Sequence, residues 1–262
     1  MKYLYFVLFI SFIFLSGCSF KVKQNQELYD LKHVPQNIEY YTKNLKPKDD
    51  FFKVQKEYAE SYFQVWNLEK NIENINEVQW PFDSFKALKS YGANLQPLKQ
   101  SFFDKMYENS NLSKYISVNK RAMTLREVNI RAFPTILPVF LNPNRAGEGY
   151  PFDYLQNSTV HANKPIYISH YSKDNEWAFI YTSFTYGWIK TSELVIMDEY
   201  FMDIWQQPKQ ISIVKEDISI YDADNNFLFK SKIGMMLPLI SEDQDTYTVL
   251  IISSHRGNDA FF

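Results

Sequence analysis

The sequence predicts an α+β protein, a small helical domain followed by two small β-barrels, the second incomplete. Three observations carry this. Aromatic residues recur at helical spacing just after Asp49, the period falls towards two from about Ile116, and a second series of alternating strands begins near Ile211.

Residues 19 to 48 are polar and lysine-rich, carry Pro35 and Pro47, and read as a tether. In "DDFFKVQKEYAESYFQVWNLEK" the residues Phe51, Phe52, Tyr58, Tyr62, Phe63 and Trp66 fall on one helical stripe, with Asp49 or Asp50 placed to cap the first turn. Trp80-Pro81 is expected to break the chain, Phe82 to Lys89 and Pro97 to Tyr107 to form two further helices, and Asn109 to Asn111 to end them. Beyond Ile116, "MTLREVNIRAFPT", "PIYISHYS", "EWAFIYTS" and "YGWIKTSEL" are short β-rich runs separated by Asn, Asp, Gly and Pro. The final series turns at Asp222 to Asn226 and at Ser241 to Asp245. It shows four strands after Ile211 where such a barrel commonly has about five, and Phe261-Phe262 reads as the opening of another buried strand. The expected divisions are 1–17, 18–48, 49–115, 116–204 and 205–262.

Composition narrows the function classes. The net charge is -2 with both signs interspersed, so no basic stripe suggests nucleic acid as a partner. Hydrophobic residues make up 45% and aromatic residues 18%, enough for conventional cores without disulfides.

The single cysteine, Cys18, follows Met1-Lys2, an apolar run from Tyr3 to Leu15, and the small residues Ser16 and Gly17. This is the layout of an export signal, shorter than the roughly 20 residues that span a bilayer. Leu15-Ser16-Gly17-Cys18 resembles a bacterial lipobox, which implies cleavage before Cys18 and lipidation of its thiol. Residues 1–17 are then a signal peptide and 18–48 a lipidated tether on the periplasmic side of a membrane. Ser19 in place of aspartate favours the outer membrane. A lipidated thiol is unavailable for catalysis.

Asp174-Asn175-Glu176-Trp177 followed by Gly187-Trp188-Ile189 resembles the bacterial SH3-like (SH3b) module. There a polar turn precedes a strand tryptophan, and a Gly-Trp pair closes the next hairpin. The plain alternative is that Trp177 and Trp188 only fill a core. "RAFPT" at 131, "YPFDYLQNS" at 150 and "KPIYISHYSKDNEWAFIYTSFTYGWI" at 164 extend the likeness to the first SH3b domain of NlpC/P60 cysteine peptidases. Phe51 to Trp66 with "YGANLQP" at 91 resembles their helical stabilising domain, and residues 205 onward their second SH3b domain. The resemblance implies a cell-wall protein related to γ-D-glutamyl-L-diamino acid endopeptidases.

A cysteine peptidase needs a thiolate beside a histidine base, and no cysteine follows Cys18. The chain by itself is therefore expected to be non-enzymatic, without cofactor or metal. It would contact peptidoglycan stem peptides or a separately encoded catalytic domain; a fragment of an active endopeptidase and a purely structural envelope lipoprotein are the alternatives. Asp222, Asp224 and Asn226 mimic the start of an EF-hand loop, but Phe227 replaces its glycine and Ile233 its closing glutamate, which leaves a hairpin turn. His161 and His170 lack metal-ligand spacing, and Asp153, His170 and Ser172 lack a nucleophile elbow.

In relatives the first SH3b barrel uses acidic and tyrosine side chains to recognise the free amino end of the stem peptide. The resemblance places these types at Glu148, Tyr150, Asp153 and Tyr154. An ammonium needs a carboxylate and gains from an aromatic face. The alternative is that Asp153 organises a turn and the tyrosines pack.

Overall fold

The computed structural model describes residues 29–35, 37–46, 50–68, 75–207 and 209–253. The chain divides into two compact units, Met1–Phe51 and Phe52–Phe262. Within the first lie two short helices, α1 (Tyr29–His33) and α2 (Ile38–Thr42), the latter capped by Asn37, whose side chain accepts from the Glu39 amide at 2.8 Å.

The second unit opens within α3 (Phe51–Phe63), which passes into a 3-10 turn (Gln64–Asn67). Tyr62, Phe63, Val65 and Trp66 are buried along its inner stripe. Helix α4 (Asn76–Ser84) starts before the expected break and carries Pro81 inside it, and no helix forms over 85–89. A proline removes one N–H bond and crowds the carbonyl four residues earlier, a cost that burial can offset. The helix is kept because Val78 and Pro81 are buried and Trp80 and Phe82 pack on the Phe85, Phe103 and Phe133 cluster. Helix α5 (Gln100–Asn109) begins three residues later than the spacing predicts.

Seven strands then form one antiparallel sheet: β1 (Lys120–Thr124), β2 (Val128–Arg131), β3 (Gln156–Val160), β4 (Pro165–Tyr171), β5 (Trp177–Tyr181), β6 (Tyr186–Lys190) and β7 (Leu194–Ile196), in the order β3-β2-β6-β5-β4-β1-β7. The two-residue period sorts its side chains by kind. Ile166, Ile168, Ala178, Ile180 and Ile189 join an aliphatic cluster with Val128, Ile130 and Val160. Their neighbours Tyr167, Trp177, Phe179, Tyr181 and Trp188 point the other way into an aromatic cluster. That second cluster also takes Tyr62, Phe63 and Trp66 from the helical segment and Trp205, Met236, Leu237 and Ile252 from the last part of the chain.

Helix α6 (Glu199–Trp205), capped by Asp198, leads into β8 (Gln210–Ser212), β9 (Ser219–Tyr221), β10 (Phe227–Lys230), β11 (Met236–Glu242) and β12 (Tyr247–Val249). These form a β9–β10 hairpin and a three-stranded sheet ordered β12-β11-β8. Ile211, near which the alternating pattern places the start of the series, lies inside β8, and four strands follow it. Phe261 and Phe262 lie outside the described residues.

Candidate functional site

The loop from Leu141 to Leu155 presents the four residues singled out by resemblance. Asp153 is drawn inward: its Oδ2 lies 2.9 Å from Arg131 Nη1, and its Oδ1 accepts from the Val139 and Leu155 amides at 3.1 and 3.0 Å. Arg131 also donates to the Leu137 carbonyl at 3.0 Å and is itself buried. The carboxylate thus closes the loop on β2, the work of a turn organiser, and its charge is already balanced. Glu148 is similarly engaged, with Oε2 accepting from the Asn142 amide at 3.2 Å and Oε1 3.5 Å from Arg145. Tyr154 is partly buried and donates to the Gly147 carbonyl at 3.4 Å. Tyr150, which precedes a cis peptide bond to Pro151, stands out at 79% exposure, with Phe152 exposed beside it. The exposed surface of this loop is therefore aromatic, and its carboxylates brace it from behind.

Trp177 and Trp188 are both buried on the aromatic face of the sheet. Gly187, at φ +150°, is dictated by closure of the sheet: a Cβ there would meet Ile130 Cγ2 at 2.6 Å and the Arg131 carbonyl at 2.8 Å, where β6 meets β2. His170 is fully buried between Trp188 and Phe179. Its Nε2 donates to the Ser110 carbonyl at 3.0 Å, and its Nδ1 lies 3.0 Å from the Ser169 hydroxyl, which can donate to a neutral ring. Burial pushes its pKa down to about 4. Ser172 donates to Asp174 at 2.5 Å, so Asp153, His170 and Ser172 each have separate partners. Asp222 accepts from the Asp224 and Asn226 amides at 3.0 and 2.8 Å, as a hairpin turn requires. Among the described residues no cluster of His, Cys, Asp or Glu has the makings of a metal site.

A separate cleft of about 590 Å³ opens between α3, the residues joining β3 to β4, the 183–184 turn and the 232–234 turn. Thr124, buried behind it, shapes one wall. The Thr124 hydroxyl donates to the His161 carbonyl at 2.8 Å and accepts from the Lys164 amide at 2.9 Å, which fixes the tight turn from His161 to Lys164. The turn aims the Lys164 ammonium at the rings of Tyr62, 3.9 Å away, and Phe184, 5.7 Å away. Lys164 is only 5% exposed, and burial pushes its pKa down to about 8. At the rim Lys232 lies 3.8, 3.4 and 3.2 Å from Glu127, Glu216 and Asp217.

Three family models match the chain: the NLPC_P60 amino-terminal stabilising domain over 7–115, an SH3 domain of SH3b1 type over 138–190, and an SH3 domain of SH3b2 type over 198–244. The chain carries the amino-terminal modules of the NlpC/P60 family. A solved structure described as a novel NlpC/P60 endopeptidase from Photobacterium damselae subsp. piscicida shares the fold, with a TM-score of 0.66 at 24% identity. The match covers 82% of this chain and 50% of that one, so the chain spans half the length of that protein. No curated protein matches it.

In NlpC/P60 terms, the SH3b1 match begins at Pro138 and takes in the bracing carboxylates and Tyr150 together with the Trp177 and Gly187-Trp188 motif. Glu148, Tyr150, Asp153 and Tyr154 share one loop, but the Asp153 carboxylate faces the barrel. Cys18 and residues 1–17 lie outside the described residues, and no helix among those described is long and apolar enough to cross a membrane. Lys164 and His161 were not singled out together by spacing, because a lysine is ordinarily read as exposed. The buried turn that reverses this depends on Thr124, about forty residues earlier.

Proposed function

We propose that this chain is the envelope-anchored scaffold and recognition part of an NlpC/P60-type cell-wall hydrolase, positioning a peptidase on peptidoglycan stem peptides. The observation that carries it is the aromatic core shared by the helical segment, the first barrel and the last strands, which fixes these modules as one presenting surface. The cysteine of the sequence stands in a lipobox, and both described histidines of the barrel are committed to internal hydrogen bonds. The Cys-His chemistry would come from a domain in the same polypeptide or from a separate chain. Exposed Tyr150 and Phe152 supply the contact surface, and Cys18 supplies the lipid anchor to the outer membrane, facing the periplasm.

The test uses the full chain in nonionic detergent with the tripeptide L-Ala-γ-D-Glu-diamino acid. The expected result is no release of product and weak, millimolar shifts at Tyr150 and Tyr154 that disappear when the peptide amine is acetylated. Cleavage by this chain alone would overturn the scaffold reading. Metabolic labelling with a palmitate analogue should be lost in Cys18→Ser; equal label in both would overturn lipidation. Coverage of half the endopeptidase favours a second reading, that the catalytic half is joined to this one. An in-frame Asp-Cys-Ser segment downstream of residue 262 in the gene would establish it.

A further inference from the structure

Lys164 is almost wholly withdrawn from solvent, yet among the described residues its ammonium has neither a carboxylate nor a hydrogen-bond acceptor. Its contacts are the rings of Tyr62 and Phe184, in a cleft wide enough for a small molecule. Buried cations are ordinarily paired, since removing the charge from water is costly unless an anion replaces the solvent. The lining supplies no such anion at Lys164. Tyr58 donates its hydroxyl to the Gly234 carbonyl at 2.6 Å and Tyr62 donates to the Asn163 carbonyl at 3.3 Å, so both phenols are spent on the protein. His161 uses Nδ1 on the Ala162 carbonyl at 2.7 Å and stacks on Tyr62, with burial holding it neutral.

We propose that this cleft binds a small zwitterion, an amino acid or short peptide, with its carboxylate on Lys164 and its ammonium towards Glu127. The acidic rim decides between anions. Glu127, Glu216 and Asp217 outnumber Lys232, so a dianion such as phosphate meets repulsion on entry, while a carboxylate that travels with its own ammonium does not. Thr159 and Ser61 add hydroxyls to the same walls, and the exposed Phe184 ring gives the ligand an apolar side. The site is separate from the 141–155 loop and does not depend on the function proposed for it.

The experiment labels lysine at 13Cε in the full chain in nonionic detergent and follows Lys164 by NMR against pH. The probe is alanyl-alanine, in its L,L and D,D forms. The expected result is millimolar, saturable binding by one form or both that raises the Lys164 titration midpoint by about one pH unit, as a carboxylate partner requires. The C-terminal amide of the dipeptide should bind at least tenfold more weakly, the N-acetyl form should lose part of the affinity, and phosphate should not compete. Lys164→Met, which keeps the packing on Tyr62, should abolish binding while leaving the shifts of Tyr150 with the stem tripeptide intact. No change at 50 mM of either dipeptide would overturn the proposal. Equal binding of the amide, or tighter binding of phosphate, would overturn it as well.

Discussion

The side chain of Asn163 is bonded at both ends to the backbone of Ile252: Nδ2 donates to its carbonyl at 2.7 Å and Oδ1 accepts from its amide at 3.0 Å. Asn163 adopts φ +56°, a left-handed conformation that asparagine tolerates better than most residues, and it is fully buried. One amide thus stands in for a strand and ties the first barrel to the end of the last sheet. Asn163→Ala strands two buried backbone groups of Ile252 and should cost about 2 to 4 kcal/mol. Asn163→Gly, which keeps the backbone conformation, should cost nearly as much if the amide is what matters. Urea denaturation of both variants measures this.

Arg131 and Asp153 make a second test. Asp153→Asn keeps an oxygen for the Val139 and Leu155 amides but leaves the buried Arg131 without its anion, and should cost about 2 to 3 kcal/mol. Combining it with Arg131→Met should recover part of the loss, as double-mutant denaturation curves would reveal. If Asp153 instead held a ligand's ammonium, Asp153→Asn would weaken tripeptide binding with little effect on stability.

Gly187→Ala places a methyl group 2.6 Å from Ile130 Cγ2 and 2.8 Å from the Arg131 carbonyl at a φ of +150°. Strain and overpacking together should destabilise by about 2 to 4 kcal/mol. Thermal melting followed by near-ultraviolet dichroism should report it directly, because Trp188 is the next residue.

Acid should loosen the fold through its histidines. Burial lowers the pKa of His170 to about 4, and burial lowers that of His161 to about 4 with the Lys164 charge adding to the effect. Between pH 4 and about 6.5 the unfolded chain therefore binds protons that the folded chain does not. Their contribution is complete above pH 6.5 and declines as the pH falls towards 4, on the order of 3 kcal/mol for His170. Denaturation midpoints at pH 7 and pH 5 give the slope, which His170→Gln should flatten.

The class of the fold was legible from residue spacing because strands sort side chains with a two-residue period and α3 with a helical one. Trp177 and Gly187-Trp188 marked the sheet for the same reason. Pro81 misled, since local propensity places a break where burial of Val78 and Pro81 holds a helix together. The 141–155 loop was singled out by residue type, but which of its carboxylates are free depends on Arg131 and Arg145 and is a matter of three dimensions. Lys164 was hidden for the same reason: its burial is made by Thr124, Tyr62 and Phe184, none of them its neighbours in sequence.

The aromatic face of the sheet bears on how such a chain is inherited. Trp177, Phe179 and Trp188 are covered by Trp66 from before the barrel and Trp205 from after it. A gene fragment encoding residues 116–204 alone would yield a barrel with a wide greasy flank, prone to self-association and to proteolysis. Recombination that moves this barrel between proteins must therefore carry the flanking segments with it. The stretch from α3 to β12 is thus expected to transfer only as a single cassette, despite its three recognisable pieces.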